Sequence, residues 1–174
     1  LNRMMKAVGK ESGIEYSSQQ EEAIRQGATS GVLLITGGPG TGKTSVVRAL
    51  LHIFDSMGLN IALCAPTGRA AKRLSESTSC EAKTIHRLLE YGGEEGGGIR
   101  FHRDEKNLLD ETVIIVDEAS MVDNNLMSAL LCAVKPGARI VIIGDADQLP
   151  SVGAGRVLCD ILESNALPSV RLNK

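Results

Sequence analysis

Residues 35–45 of this chain read ITGGPGTGKTS. The four glycines, one proline and one lysine of this stretch come directly after an apolar run, and they fill every fixed position of the pattern G-x-x-x-x-G-K-[ST] between Gly37 and Thr44. Glycines at these positions let successive backbone N–H groups turn inward around phosphates, and Lys43 supplies a charge for the β and γ phosphates. The stretch therefore predicts a phosphate-binding loop for a nucleoside triphosphate.

The helix that follows this loop supports the same interpretation. It is predicted to start near Gly42, where its positive end adds to the phosphate site, and the Thr44 hydroxyl suits a Mg²⁺ ion. The alternative is a glycine-rich turn without a ligand. It is disfavoured because a strand, a helix, a lysine and a threonine are all present in the right places. The predicted nucleotide contacts are Gly38, Pro39, Gly40, Thr41, Gly42, Lys43, Thr44 and Ser45.

Short apolar runs at 32–36, 61–65, 112–116, 139–143 and, weakly, 169–172 recur along the chain. The first four are continuous rather than alternating, as in strands that are covered on both faces. Helical patterns lie between them. Strands that alternate with helices in this way predict an α/β fold, with a doubly wound, mainly parallel sheet and helices on both faces.

Capping and turn residues place several boundaries. Asp123 is a predicted N-cap for a helix that Pro136-Gly137 ends. The opening segment holds two helical pieces, the second capped by Ser17 or Ser18 and running until Gly27. Residues 92–98, GGEEGGG, predict a flexible surface loop, since no strand precedes them and no lysine follows to make a second phosphate site.

Composition limits the class of protein. The chain has 174 residues, 43% hydrophobic and 23% charged, which suits one soluble domain. The net charge of −2 indicates no global basic field, so a nucleic acid would have to be held by a local patch. No apolar run approaches the ~20 residues that span a bilayer, so no membrane partner is expected. Four aromatic residues (Tyr16, Phe54, Tyr91 and Phe101) are few for a protein that stacks on bases.

The four cysteines lack C-x-x-C spacing, and three of them sit in apolar periodic segments. Buried, reduced thiols in a cytoplasmic protein are favoured over disulfides or a metal site. They are Cys64, Cys80, Cys132 and Cys159.

A second acidic site follows the third apolar run, in VIIVDEAS at 113–120. A strand ending in Asp117 places this carboxylate at the ligand-binding edge of a doubly wound sheet, where it would hold Mg²⁺. Glu118 is suited to polarising a water molecule for attack on the γ phosphate. A capping pair on the next helix is the alternative. The pattern favours hydrolysis over phosphoryl transfer to a metabolite.

Cationic residues follow the second strand, in APTGRAAKRLSE at 65–76. Arg69, Lys72 and Arg73 share one helix face, which either contacts DNA phosphates or is an ordinary solvated face. In TIHRLL at 84–89, His86 and Arg87 point outward and suit a backbone or phosphate contact. In GDADQLPSVGAG at 144–155, the polar Gln148 can report on the γ phosphate.

Taken in order, these stretches resemble the RecD-like branch of the superfamily 1 DNA helicases (exodeoxyribonuclease V alpha subunit and its stand-alone relatives). The resemblance covers nearly the whole chain from about residue 14, and Gln20 in QQEEAI fits the adenine-reading glutamine of that family. The matching stretches are GGPGTGKT (motif I), APTGRAAKRLSE (motif Ia), TIHRLL (motif Ib), VDEASM (motif II) and GDADQLPSVGAG (motif III).

The resemblance implies a RecA-like P-loop motor domain, the first of two that sandwich ATP, with a helical segment at 1–28 and the core at 29–174. It implies catalytic roles for Lys43, Glu118 and Gln148, ATP and Mg²⁺ as cofactors, and tracking on single-stranded DNA, usually 5′ to 3′. It also implies that the strand at 139–143 lies between the first and the third. The DNA contacts that it implies are Pro66, Thr67, Arg69, Lys72, Arg73, Thr84, His86 and Arg87.

Partners and alternatives follow from the same resemblance. Expected partners are single-stranded DNA, a second motor domain of the same parent chain, which carries further arginines, and other subunits where the parent belongs to a nuclease–helicase complex. The segment FHRDEKNLLD at 101–110 departs from the family's charge pattern. A nucleotide-switched P-loop module that binds DNA or protein without translocating is the competing class, and Glu118 argues against it. A small-molecule kinase would leave the cationic helix face and Gln148 unexplained.

Overall fold

A computed structural model describes residues 1–93, 97–148 and 155–173 of the chain. No helix within those ranges is both long and apolar enough to cross a membrane. The helices are α1 (Asn2–Ser12), α2 (Ser18–Thr29), α3 (Lys43–Ser56), α4 (Gly68–Thr78), α5 (Ile85–Leu88), α6 (Asn124–Ala133) and α7 (Val157–Ser164), with a 3₁₀ turn at Ala119–Met121. The strands are β1 (Val32–Thr36), β2 (Ile61–Ala65), β3 (Ala82–Thr84), β4 (Tyr91–Gly93), β5 (Ile99–Phe101), β6 (Val113–Val116), β7 (Arg139–Gly144) and β8 (Ser169–Arg171).

Six strands form one parallel sheet in the order β3-β2-β6-β7-β1-β8. The predicted α/β fold is confirmed, and so is the position of β7 between β1 and β6, where Ile142 is in register with both Leu34 and Val116. Because all six strands run the same way, the segments that follow their carboxyl ends meet at one edge of the sheet. Every predicted site motif after a strand therefore lies along that edge.

Each face of the sheet carries its own hydrophobic core, which explains why the strand sequences are continuous rather than alternating. One core lies between the sheet and the helices α1, α2, α3 and α4, and it includes Ile35 and Phe54, which are both fully buried. The other joins α5, α6 and α7 with side chains such as Leu34 and Ile114. Since Ile24 of α2 belongs to the first core, the opening helices pack on the same sheet as the rest. The division at residues 28 and 29 stays a prediction.

The second helix is longer than predicted. Ser17 is its N-cap, as one of the two candidates, but α2 runs through Gly27 and ends at Thr29. Gly27 does not break the helix, because it packs against α3, where an added Cβ would lie 2.8 Å from Cδ2 of Leu50. The glycine marks a close helix–helix approach and not a helix end.

The glycine-rich segment 92–98 is not a loop throughout, as the sequence suggested. Gly92 and Gly93 belong to β4, which pairs antiparallel with β5 so that Tyr91 lies opposite Phe101. Residues 94–96 lie outside the described part of the chain. The glycine content predicted a loop, whereas the flanking residues Tyr91 and Phe101 pair across a β-hairpin.

The prediction of buried cysteines holds for Cys64 only. Burial raises the pKa of the Cys64 thiol to about 12, so this group stays protonated at neutral pH. Cys80 and Cys132 are exposed and Cys159 is half-buried, although all four are free thiols as expected. Cys132 lies on α6, next to the half-exposed Leu131, because that side of the helix faces away from the sheet.

Candidate nucleotide and DNA site

The phosphate loop connects β1 to α3, as predicted, with Gly42 as the helix N-cap. Gly40 and Gly42 have φ angles of 76° and 85°, a left-handed conformation that strongly favours glycine. The Lys43 ammonium folds back over the loop and donates to the carbonyl oxygens of Gly37 and Gly38, the latter at 2.8 Å. With three N–H donors, Lys43 keeps a donor for a phosphate oxygen in this arrangement.

The two threonines of the loop differ in environment. Thr41 is buried, and its hydroxyl donates to the Gly38 carbonyl at 2.9 Å, so it shapes the loop from within. Thr44 lies exposed in the first turn of α3, where its hydroxyl can reach a ligand, and Ser45 beside it is half-buried. The loop thus separates one threonine that holds the backbone from one that is free to face a metal ion.

Gln20 joins the opening segment to the phosphate loop. Its Oε1 accepts from the Ser17 backbone N–H at 3.0 Å, and its Nε2 donates to the Thr41 carbonyl at 3.2 Å. Gly42 must lack a side chain here, since an added Cβ would lie on top of Gln20 Nε2. One oxygen lone pair and one N–H of the amide remain available, the pair that an adenine base needs.

The acidic pair follows β6, as predicted. Asp117 is half-buried, and its Oδ1 accepts from the Glu118 backbone N–H at 2.8 Å. Desolvation raises the pKa of the Asp117 carboxyl, while the Glu118 N–H and the positive charge of Lys43 act in the opposite direction. A buried carboxylate that lacks full compensation is suited to gaining a cation. Glu118 itself is left-handed, with φ 55°, and turns the chain sharply off the sheet into the 3₁₀ turn.

These residues suit Mg²⁺ rather than a metal that needs a dedicated protein cage. No cluster of three or more His, Cys, Asp or Glu able to hold a metal ion occurs among the described residues. Mg²⁺ typically takes one or two protein oxygens together with phosphates and waters. Asp117 and the Thr44 hydroxyl would supply those protein oxygens.

Gln148 follows β7 and lies exposed at the same edge. Its backbone N–H donates to the Asp145 carbonyl at 3.2 Å, and its side-chain oxygen lies 3.3 Å from the Ser120 hydroxyl. The remainder of predicted motif III at 149–154, including Gly153, lies outside the described residues. The structure thus brings Gln148 to the turn that carries Glu118.

The predicted DNA contacts follow β2 and β3, at the same edge of the sheet. Thr67 and Thr84 are N-caps, whose hydroxyls accept from Ala70 and Arg87 backbone N–H groups at 3.2 and 3.1 Å. Their side chains are therefore engaged in helix capping. Pro66 is half-buried before α4, and the exposed charged residues are Arg69, Lys72, Arg73 and Arg87.

Two of these predicted contacts have protein partners that the sequence did not indicate. Lys72 lies 4.0 Å from Glu76 one turn along α4, an exposed ion pair. The His86 ring lies 5.3 Å from Tyr91 and 5.7 Å from Phe101, and these two rings lie 4.8 Å apart. His86 is therefore part of a ring cluster that ties α5 to the β4–β5 hairpin. The sequence did not indicate this cluster, because the β4–β5 hairpin that brings Phe101 back to His86 was not predicted.

Residues after β8 also reach the phosphate loop, which sequence reasoning missed. Leu172 N–H donates to the Thr36 carbonyl at 2.7 Å, and Asn173 N–H donates to Gln19 Oε1 at 3.0 Å. Arg171, in register with Thr36, lies 3.6 Å from Asp147. Only the strand order could have indicated this, because β8 is the neighbour of β1.

A cleft of about 750 Å³ lies away from this site, at the edge where β2 begins. Side chains from α3, from β3 and from the segment before β6 line it, among them Arg48, His52, Lys83 and Glu111. The phosphate-loop residues do not line it. A phosphate loop binds with backbone N–H groups on a helix end, so it needs no deep cavity.

Comparison with known proteins agrees with this geometry. A family model described as an AAA domain matches residues 20–154. The chain is 43% identical over 168 residues to the ATP-dependent RecD2 DNA helicase of Deinococcus radiodurans, covering 97% of this chain and 22% of that protein. It is also 43% identical over 168 residues to the RecBCD enzyme subunit RecD of Mycobacterium tuberculosis, covering 83% of this chain and 28% of that protein. The chain thus spans about a quarter of the length of these curated relatives.

Solved structures show the same fold. The Pif1 helicase from Candida albicans aligns with a TM-score of 0.66 at 24% identity, over 92% of this chain and 40% of that one. Bacteroides sp Pif1 in complex with ADP-AlF4 aligns with a TM-score of 0.63 at 22% identity, over 92% and 42%.

Proposed function

Since the chain belongs to the AAA domain family and carries a complete phosphate loop, we propose that it is the first motor domain of an ATP-driven DNA helicase. Nucleotide binding follows from the phosphate loop of the family. One observation carries the proposal: the parallel sheet gathers the phosphate loop, the acidic turn, Gln148 and a cationic helix face at a single edge.

The phosphate loop binds the triphosphate, and the Gln20 amide reads the adenine with the lone pair and N–H that Ser17 and Thr41 leave available. Lys43 then exchanges its contacts with loop carbonyls for phosphate oxygens. Asp117 and Thr44 would hold Mg²⁺, which when bound would neutralise phosphate charge. Glu118 orients and deprotonates the attacking water, the role of a positioned general base.

DNA contact uses the segments after β2 and β3, which share an edge with the nucleotide. Arg69, Arg73 and Arg87 are exposed at that edge and suit phosphate contacts, which carry no sequence information. Because Gln148 is exposed at this edge and its side-chain oxygen lies 3.3 Å from the Ser120 hydroxyl of the acidic turn, a change at the γ phosphate can be passed to a bound strand. Translocation from 5′ to 3′, and a second motor domain that completes the ATP site with its own arginines, belong to the same proposal.

The test uses the full-length protein. Turnover of ATP is measured with and without single-stranded DNA, and unwinding is followed on duplexes with a 5′ or a 3′ tail. DNA-stimulated turnover with unwinding of the 5′-tailed duplex supports the proposal. Nucleotide binding without stimulated turnover would identify a switch module instead. Unwinding of the 3′-tailed duplex alone would overturn the polarity and leave the motor assignment in place.

A further inference from the structure

The hydrogen bond between Ser120 and Gln148 connects two motifs that are 28 residues apart in sequence. Its length is 3.3 Å, and the serine hydroxyl donates to Gln148 Oε1. Neither the phosphate loop nor the cationic face uses Ser120. The bond instead links the turn after Glu118 to the side chain proposed to sense the γ phosphate.

The backbone on the Ser120 side is built to bring this hydroxyl toward β7. The left-handed Glu118 reverses the chain into the 3₁₀ turn, which Met121 N–H closes on the Glu118 carbonyl at 3.1 Å. The turn lies directly against the end of β7, since a Cβ added at Gly144 would lie 3.2 Å from Ser120 N. A larger residue at position 144 would crowd this turn and also Leu158, whose Cδ2 would lie 2.7 Å from the added Cβ.

The backbone on the Gln148 side is held as well. Asp145 is buried, and its Oδ1 accepts from the Asp147 N–H at 3.0 Å while its carbonyl accepts from the Gln148 N–H at 3.2 Å. The turn after β7 therefore presents Gln148 at a defined place. The Ser120–Gln148 hydrogen bond thus joins two turns whose backbones are both held in place.

The bond occupies the oxygen end of the Gln148 amide. With Oε1 accepting from Ser120, the NH₂ group is the end left to face the nucleotide. Phosphate oxygens only accept hydrogen bonds, so this is the end that can contact a γ phosphate. A Gln148 amide turned the other way would present an oxygen to an anion and repel it.

We propose that Ser120 is a positioning residue for hydrolysis, one that orients the Gln148 amide toward the γ phosphate and ties it to the Glu118 turn. The proposal rests on the roles given to Glu118 and Gln148 above. In the proposed arrangement Ser120 contacts neither the nucleotide nor the attacking water. Its effect passes entirely through Gln148, which makes it separable from a general structural role.

The test measures DNA-stimulated ATP turnover and nucleotide affinity of the full-length protein with Ser120→Ala, Ser120→Thr, Gln148→Ala and the double variant Ser120→Ala/Gln148→Ala. A net hydrogen bond is worth roughly a 2- to 12-fold effect. We expect Ser120→Ala to lower kcat by about that factor while KM for ATP changes less than about twofold. Ser120→Thr keeps the hydroxyl and should restore most of the rate. Ser128→Ala, on the exposed side of α6, is the matched control and should leave turnover unchanged.

The double variant decides the mechanism. If Ser120 acts through Gln148, Ser120→Ala costs nothing further once Gln148 is alanine. Equal losses in both backgrounds, or full activity of Ser120→Ala beside a slow Gln148→Ala, would overturn the positioning role and leave the proposed motor intact. Full activity of Gln148→Ala would instead remove the sensor role of Gln148, and the inference with it. Thermal unfolding of each variant separates a folding loss from a catalytic one.

Discussion

Asp117 is the residue where function works against stability. Its carboxyl pKa is raised by desolvation, so in the nucleotide-free protein its ionised form is less favourable than in the unfolded chain. The folded state then binds more protons than the unfolded state between the two pKa values, and stability falls as pH rises through that window. A bound cation reverses this cost.

Asp117→Asn should therefore raise the thermal unfolding temperature of the nucleotide-free protein at pH 7. The amide oxygen can still accept from the Glu118 N–H, and the desolvated charge is gone. The gain should shrink as pH falls below the ordinary aspartate pKa, where both proteins are neutral at this position. Calorimetry of both proteins from pH 3 to 8 tests this. A difference in unfolding temperature between variant and parent that is smaller at pH 7 than at pH 3 would contradict it. Mg²⁺-dependent turnover should be lost throughout.

Lys43 and Glu118 should separate binding from chemistry in the full-length protein. Lys43→Ala removes the counter-charge of the phosphates and should weaken ATP binding and abolish turnover. Glu118→Gln should keep Mg·ATP bound while hydrolysis falls roughly 10²- to 10⁴-fold, the share of a positioned general base. Titration with a fluorescent ATP analogue and steady-state turnover measure the two effects. Near-normal turnover of Glu118→Gln would disprove its role as the base.

At the scale of elements, α4 carries the proposed phosphate contacts. If its cations contact DNA, neutralising Arg69 or Arg73 should lower the salt slope of single-strand binding by about one ion each, whatever the sequence. Lys72→Gln should have a smaller effect, because Glu76 already lies 4.0 Å from this ammonium. Lys6→Gln on the exposed face of α1 is the control. An unchanged slope after replacing all three would make this an ordinary solvated face.

The β4–β5 hairpin depends on rings rather than on its glycines. The directly opposed Tyr91 and Phe101 and the neighbouring His86 supply its packing on α5. An aromatic pair contributes about 0.5–1.5 kcal/mol, so Phe101→Ala should speed hydrogen exchange of the hairpin amides by roughly 2- to 10-fold. Ile99→Ala, whose parent side chain is 69% exposed, should change exchange little. Equal effects of the two substitutions would show that the ring cluster does not hold the hairpin.

In the whole molecule, the described residues of the site offer many backbone donors but few cations that could reach the transition state. Arg156 lies at the start of α7, 4.0 Å from Glu163, and Arg171 is 3.6 Å from Asp147, so each has an acidic neighbour. Arginines supplied from another domain typically contribute about 10³–10⁵ in rate. The proposed second motor domain would supply such arginines.

The 174 residues alone should therefore bind Mg·ATP or ADP loosely, hydrolyse ATP very slowly and gain little from DNA. Turnover of this fragment, compared with the full-length protein at equal DNA concentration, tests the expectation. Brisk, DNA-stimulated hydrolysis by the fragment would show that its own cations complete the site. Arg171→Gln would then be the first variant to examine, because β8 places this residue beside the phosphate loop.

Features that depend on neighbours along the chain could be predicted from the sequence. The Gly37–Thr44 loop, the acidic pair after β6 and the N-cap Asp123 are read from residues a few positions apart, and the structure places each where its pattern predicts. The four continuous apolar runs predicted β1, β2, β6 and β7 to within a residue, since burial on both faces is a local compositional demand. The weak run at 169–172 predicted β8, whereas β3, β4 and β5 have no such run and were not predicted.

Contacts that depend on which strands lie side by side could be seen only in the folded protein. Periodicity does not order parallel strands, so Ser120 opposite Gln148 and Asn173 on Gln19 could not be read from spacing. For the same reason Gly27 looked like a helix end until Leu50 was seen against it, and Cys132 looked buried until α6 showed which side faces the sheet. These contacts join residues far apart in sequence, and their energies exist only once the sheet has brought them together.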